Sequence, residues 1–135
     1  MNRLILSGGL IAAATAVVAI ATPASAQRWN DRGWRTIAYK TVDGRDTDRI
    51  NVRGDYRQRS VRLCAMNAPI HLRDFDIKFD NGGHQDVNTR ARLGAGQCTR
   101  AIDLRGNRRD IRWIRLRYDP IARDWRRPLV RVQIR

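Results

Sequence analysis

From Trp34 to Ile134, apolar side chains recur at alternate positions in short runs, and clusters of Gly, Pro, Asn or Asp punctuate them. Successive side chains of a strand point to opposite faces, so a period of two marks half-buried β-strands. No window repeats its apolar residues at helical spacing. The runs are Trp34 to Val42, Ile50 and Val52, Val61 to Ala65, Ile70 to Phe79, Val87 and Thr89, Ile102 and Leu104, Ile111 to Tyr118, and Leu129 to Ile134. Turn signals fall between them at Asp43-Gly44-Arg45-Asp46, Gly54-Asp55, Pro69, Asn81-Gly82-Gly83, Gly94-Ala95-Gly96 and Gly106-Asn107. About eight short strands in one small domain predict an all-β fold, a single antiparallel β-sandwich or barrel.

Parity adds detail. Ile70 and Leu72 are even; Phe75, Ile77 and Phe79 are odd. A strand alternates strictly, so an extra residue is needed near Arg73-Asp74, as a β-bulge or kink. Ile111 is likewise out of phase with Ile114, Leu116 and Tyr118, which predicts a second irregularity.

The N-terminus has its own pattern. Met1-Asn2-Arg3 is basic, Leu4 to Ile20 is apolar and uncharged, and Ala24-Ser25-Ala26 offers small residues at −3 and −1 behind Pro23. This is the pattern of a secretory signal peptide cleaved after Ala26. The apolar run falls short of the ~20 residues of a spanning helix, and no Cys follows it to carry a lipid. The expected organisation is a signal peptide at 1–26, a polar lead-in at 27–33 and one β-domain at 34–135, exported to the periplasm or beyond with no membrane span left after cleavage.

The whole chain has 27 Lys and Arg against 13 acidic residues, a net charge of +14; removing 1–26 takes away one Arg and leaves +13. Lys40 and Lys78 are the only lysines, and every acid is Asp. Segment 100–135 holds 12 Arg and four Asp, whereas 74–86 holds four Asp and one Lys. The basic and acidic regions can pair within one molecule or between molecules. An Arg-heavy, Lys-poor composition also follows from GC-rich coding, so charge alone makes no Arg functional.

In the most basic stretch, RGNRRDIRWIRLRYDP at 105–120, Ile114, Leu116 and Tyr118 share one parity, and Trp113, Arg115 and Arg117 the other. This is an in–out strand, with Arg on the solvent face able to lie across Trp113. A charged face that blocks edge pairing accounts for it. The sharper reading is a ligand face of Arg112, Trp113, Arg115 and Arg117, because guanidinium groups fork onto phosphate, sulfate or carboxylate beside an aromatic ring.

Cys64 and Cys98 are the only cysteines, and two Cys in an exported chain suggest one disulfide closing about 34 residues. By parity Cys64 faces outward and Cys98, if its strand is regular, inward, so a bridge requires both to lie on one side or Cys98 to lie in the loop before its strand. Free thiols and a bridge between two chains are the alternatives. Asp43, Asp46 and Asp48 cluster without EF-hand spacing and read as a turn rather than a Ca²⁺ site. Asp74, Asp76, Asp80, Asn81 and Asp86 form a second loose group, better matched to Arg neighbours than to a cation. His71 and His84 lack partners at metal-ligand spacing. After Ala26 the one Ser is Ser60, without the glycines of a nucleophile elbow. No cofactor or metal is called for.

Taken together, Trp34, Asp46-x-Asp48-x-Ile50-x-Val52, Val61-x-Leu63, Ile70-x-Leu72-x-x-Phe75-x-Ile77-x-Phe79 with Asn81-Gly82, Gly96-Gln97, Ile102-x-Leu104 and Arg109-x-Ile111-x-x-Ile114-x-Leu116-x-Tyr118 resemble a family of short exported proteins of Gram-negative bacteria classed only as a domain of unknown function. The resemblance runs from about Trp34 to Tyr118. It implies a β-sandwich of the cell envelope and carries over no catalytic or binding residue. The function expected is noncatalytic: a binding or structural β-domain whose basic face meets lipopolysaccharide, anionic polysaccharide or an acidic protein. Nonspecific polyanion or nucleic-acid binding is the alternative, since charge alone gives salt-sensitive association; no specific nucleic acid is expected of an exported chain. A hydrolase using Asp residues ranks last.

Overall fold

The structure, a computed structural model, describes residues 33–54, 56–106 and 109–135. The expected signal peptide at 1–26, the lead-in up to 32 and Asn107 of the expected turn lie outside these. The described residues form eight strands: β1 (Arg35–Thr41), β2 (Thr47–Asn51), β3 (Ser60–Met66), β4 (Ile70–Phe79), β5 (His84–Leu93), β6 (Ile102–Asp103), β7 (Ile111–Tyr118) and β8 (Leu129–Ile134). They make two four-stranded sheets, β1-β8-β3-β6 and β2-β7-β4-β5, with every pair antiparallel. Of the two architectures expected, this is the sandwich and not a closed barrel.

The predicted alternation is what fills the space between the sheets. Val61, Leu63, Val132 and Ile134 from one sheet face Phe75, Ile77, Ile114 and Leu116 from the other, all at 1% exposure or less. Burying a side chain of this size contributes about 1.5–3 kcal/mol, so these alternating positions dominate the fold's stability. Both expected irregularities occur. Between Leu72 and Asp74 the register of β4 shifts against β7 and β5, which turns Phe75 inward. On β5 the same place holds Thr89 and Arg90, with Arg90 at φ 39°. On β7, Ile111 pairs with Phe79 and Trp113 with Lys78, so Arg112 is the extra residue that returns Ile111 to the core.

A sandwich leaves two seams where the sheet edges meet, and polar side chains stitch both. At the β5/β6 seam buried Gln85 acts as a piece of strand: its Nε2 donates to the Asp103 carbonyl at 3.0 Å and its Oε1 accepts from the Arg105 N–H at 2.8 Å. At the β1/β2 seam Lys40 Nζ reaches Asp48 Oδ1 at 3.0 Å. Asp48 points inward beside Tyr118, whose hydroxyl donates to Asp48 Oδ2 at 2.6 Å and accepts from the Gly44 N–H at 2.9 Å, with Asp43 Oδ1 at 3.1 Å. Burial, then the bond to Asp48, holds the Tyr118 phenol well above its ordinary range. The Asp-rich stretch from Asp43 is thus the turn expected of it, built around one phenol. Gly44 sits there at φ +87°, where an added Cβ would strike the Arg127 guanidinium.

Cys64 and Cys98 form a disulfide. The chain before β6 runs along β3, with the Ala65 N–H donating to the Gln97 carbonyl at 2.9 Å and the Thr99 N–H to the Leu63 carbonyl at 2.8 Å. Cys98 therefore lies opposite Cys64 in the segment before β6, one of the two arrangements a bridge requires, and does not face inward with Ile102 because the alternation of β6 starts only at Ile102. Cys64 is on the outer face yet has no exposed surface, because Cys98 and Gln133 cover it. Gln133, also fully buried, donates to Thr36 Oγ1 at 3.1 Å and accepts from Arg62 Nε at 2.7 Å. Above it the Trp34 ring lies between Arg62 and Arg135, with guanidinium carbons 4.4 and 4.5 Å from the centroid.

Candidate ligand face

Strand pairing turns the outer face of β2-β7-β4-β5 into rows. Arg49 lies beside Arg115, Arg115 beside Asp76, and Asp76 beside Asp86. One row along, Thr47, Arg117, Asp74 and Asn88 follow; on the other side come Asn51, Trp113, Lys78 and His84. The centre of these rows forms a shallow cleft of about 570 Å³ with Trp113 at one end. Trp113 is outward and half-buried as expected, with the guanidinium carbons of Arg49 and Arg115 at 5.7 and 5.9 Å from its ring centroid.

The four residues of the expected ligand face separate here. Trp113, Arg115 and Arg117 line the cleft; Arg112, the bulge residue, is exposed and does not. Arg115 donates from Nη2 to Asp76 Oδ2 at 2.6 Å, and Arg117 Nη1 lies 3.7 Å from Asp74 Oδ2. The basic and acidic segments thus pair within one molecule. Arg115 still keeps most of its five donors for a ligand.

Two features of this face were not legible before the register was known. Asp76 and Asp86 sit directly opposite each other on β4 and β5. The hydrogen bond and charge of Asp76 push the Asp86 carboxyl up. Asp76 goes down: burial works against this, but bonds from Asp86 and Arg115 outweigh it. The second feature joins His71, Arg73 and Asp119. Asp119 Oδ2 is 2.6 Å from His71 Nδ1, and its Oδ1 accepts from Arg73 Nε at 2.6 Å. Arg73 holds the Asp119 carboxyl below the usual range. Only an antiparallel register could have revealed either group, because Asp86 lies 10 positions from Asp76, and Asp119 lies 46 and 48 positions from Arg73 and His71. His84 is exposed at the start of β5. Asp80 lies apart with Asn81 and Asp110, and Arg109 Nη2 donates to Asn81 Oδ1 at 2.7 Å. Among the described residues no group of three or more His, Cys, Asp or Glu is placed to hold a metal ion.

Fold and face together define a disulfide-closed antiparallel β-sandwich with a mixed-charge, aromatic-edged cleft on one sheet. The sequence matches the domain of unknown function DUF2541 over residues 10–133, and the chain belongs to that family. The match is wider than the Trp34–Tyr118 span that carries the resemblance. No curated protein and no solved structure matches the chain. Among the described residues, no helix is long and apolar enough to cross a membrane.

Proposed function

We propose that the chain is a noncatalytic binding domain of the bacterial cell envelope that meets anionic partners through the outer face of β2-β7-β4-β5. The partners are lipopolysaccharide phosphates, acidic polysaccharide or an acidic protein surface. One observation carries the reading: this face has more cations than carboxylates. Arg49, Arg115, Arg117 and Lys78 on β2, β7 and β4, with Arg73 and Arg90 further along, face Asp74, Asp76, Asp86 and Asp119. Asp76 accepts a hydrogen bond from Arg115 at 2.6 Å and orients its guanidinium, so an incoming phosphate meets ordered donors at a smaller entropic cost. The export pattern at 1–26 and the disulfide, a bond that persists in oxidising compartments, support the envelope.

The test is binding of the protein, expressed as the full chain, to lipopolysaccharide across a salt series, with acidic polysaccharide and duplex DNA as competitors. The reading expects selective binding that survives physiological salt and that Arg115→Ala or Arg117→Ala weakens more for one ligand than for the others. Equal binding to every polyanion, lost as salt rises, would reduce the face to a nonspecific basic surface, since such binding comes from counterion release alone.

A further inference from the structure

At the end of the sandwich near the start of β4 and the end of β5, the chain after β7 folds back and leaves an open groove of about 400 Å³. Its lining is unlike the charged cleft. Ile70 and Leu93, buried at 4% and 5% exposure, and half-buried Ile121 form apolar walls, and Trp125 stands over them 66% exposed. An indole normally avoids water to this extent, and single exposed apolar residues need no explanation; one standing over an apolar groove does. The volume lies within the ~300–1,000 Å³ of small-molecule sites.

The polar rim restricts the occupant. The two oxygens of Asp119 are taken by Arg73 and His71, each at 2.6 Å. The Gly94 N–H is also taken, donating to Gln97 Oε1 at 2.7 Å. Arg92 is exposed, and none of the ion pairs among the described residues uses it. A sugar needs partners spread around its ring hydroxyls, and this rim has most of them occupied. An acyl chain needs only apolar walls and one cation for its head. We infer that this groove binds an amphiphilic anion, its acyl chain laid between Ile70, Leu93, Ile121 and Trp125 and its head group on Arg92. The site shares no lining residue with the Arg115–Arg117 cleft, so either can stand if the other fails.

The experiment is calorimetric titration of the full-length-expressed protein with decyl phosphate, against neutral decyl glucoside and a galacturonate oligosaccharide, each below any micelle concentration. Decyl phosphate should bind best. Trp125→Ala, at an exposed position that leaves the fold intact, should weaken it by about tenfold or more, as loss of an aromatic anchor does. Ala122→Trp should block the groove from a second exposed position. Arg92→Gln should remove the preference for phosphate over glucoside while the glucoside affinity stays. No binding of decyl phosphate, undiminished binding by Trp125→Ala and Ala122→Trp, or a preference for galacturonate would each overturn the assignment; an unchanged head-group preference in Arg92→Gln would overturn its anionic part.

Discussion

Tyr118→Phe removes one oxygen from a largely buried polar network. The side chain is 1% exposed, and the ring loses nothing in packing. Three groups lose a contact, the weakest being Asp43 Oδ1 at 3.1 Å, and two of them matter most. Asp48, at 6% exposure, loses its shortest bond, 2.6 Å, and keeps only the Asp43 N–H at 2.8 Å and Lys40 at 3.0 Å. The Gly44 N–H loses the acceptor it holds at 2.9 Å. A hydrogen bond to a charged group contributes about 1.5–3 kcal/mol, and an orphaned buried donor costs about 1–3 kcal/mol. The Gly44 turn can relax toward water, so the lower part of the sum applies, about 3 kcal/mol. At roughly 4–8 °C per kcal/mol for a domain near 100 residues, the melting temperature should fall by more than about 10 °C. Thermal unfolding followed by near-ultraviolet circular dichroism reads this directly. A fall of less than about 3 °C would show that the Tyr118 hydroxyl adds nothing net to the network.

Replacing Cys64 and Cys98 by Ala should lower stability by about 3–4 kcal/mol, from loop-closure entropy over a separation of 34 residues, measured by urea unfolding; an unchanged midpoint would discount the bridge. Gln85→Ala strips the acceptor from the Arg105 N–H and the donor from the Asp103 carbonyl, and should cost about 1–3 kcal/mol and speed amide exchange at Arg105. Asp86→Asn carries a pH signature. The folded carboxyl titrates above its unfolded value of 3.8, so the parent loses stability as pH rises from 3.8 through that higher value. The Asn variant lacks this loss and should melt higher than the parent at pH 7, with the advantage shrinking at pH 3; a larger advantage at pH 3 would contradict the pairing with Asp76.

Much of the architecture was legible because its cause is local. Period-two alternation requires no partner strand to be seen, and the phase breaks at Leu72/Phe75 and Ile111/Ile114 were each a local contradiction that only an inserted residue resolves. What failed or stayed hidden depends on registers. The side on which Cys98 lies stayed open because alternation alone does not say where β6 begins. That the Asp group pairs with Arg was legible, but which Asp meets Arg115 and which meets Arg117 was not, because Asp76 and Asp74 are remote from them in sequence. The choice between sandwich and barrel was open for the same reason: strand count and alternation are common to both, and pairing alone decides.

The bulge at Thr89 and Arg90 reaches beyond the core it re-aligns. β5 ends its sheet, so one side of its backbone is available to another chain. Ten residues of open strand would be a template for polymerisation between copies. The bulge, with Arg90 in the left-handed region, divides the strand into regular runs of five residues, His84–Asn88, and three, Ala91–Leu93. Neither run is long enough to recruit a stable incoming strand, and Asp86 and Arg92 add charge to each. A kink required for phase inside the molecule thereby also shortens the open edge that a second copy could pair with.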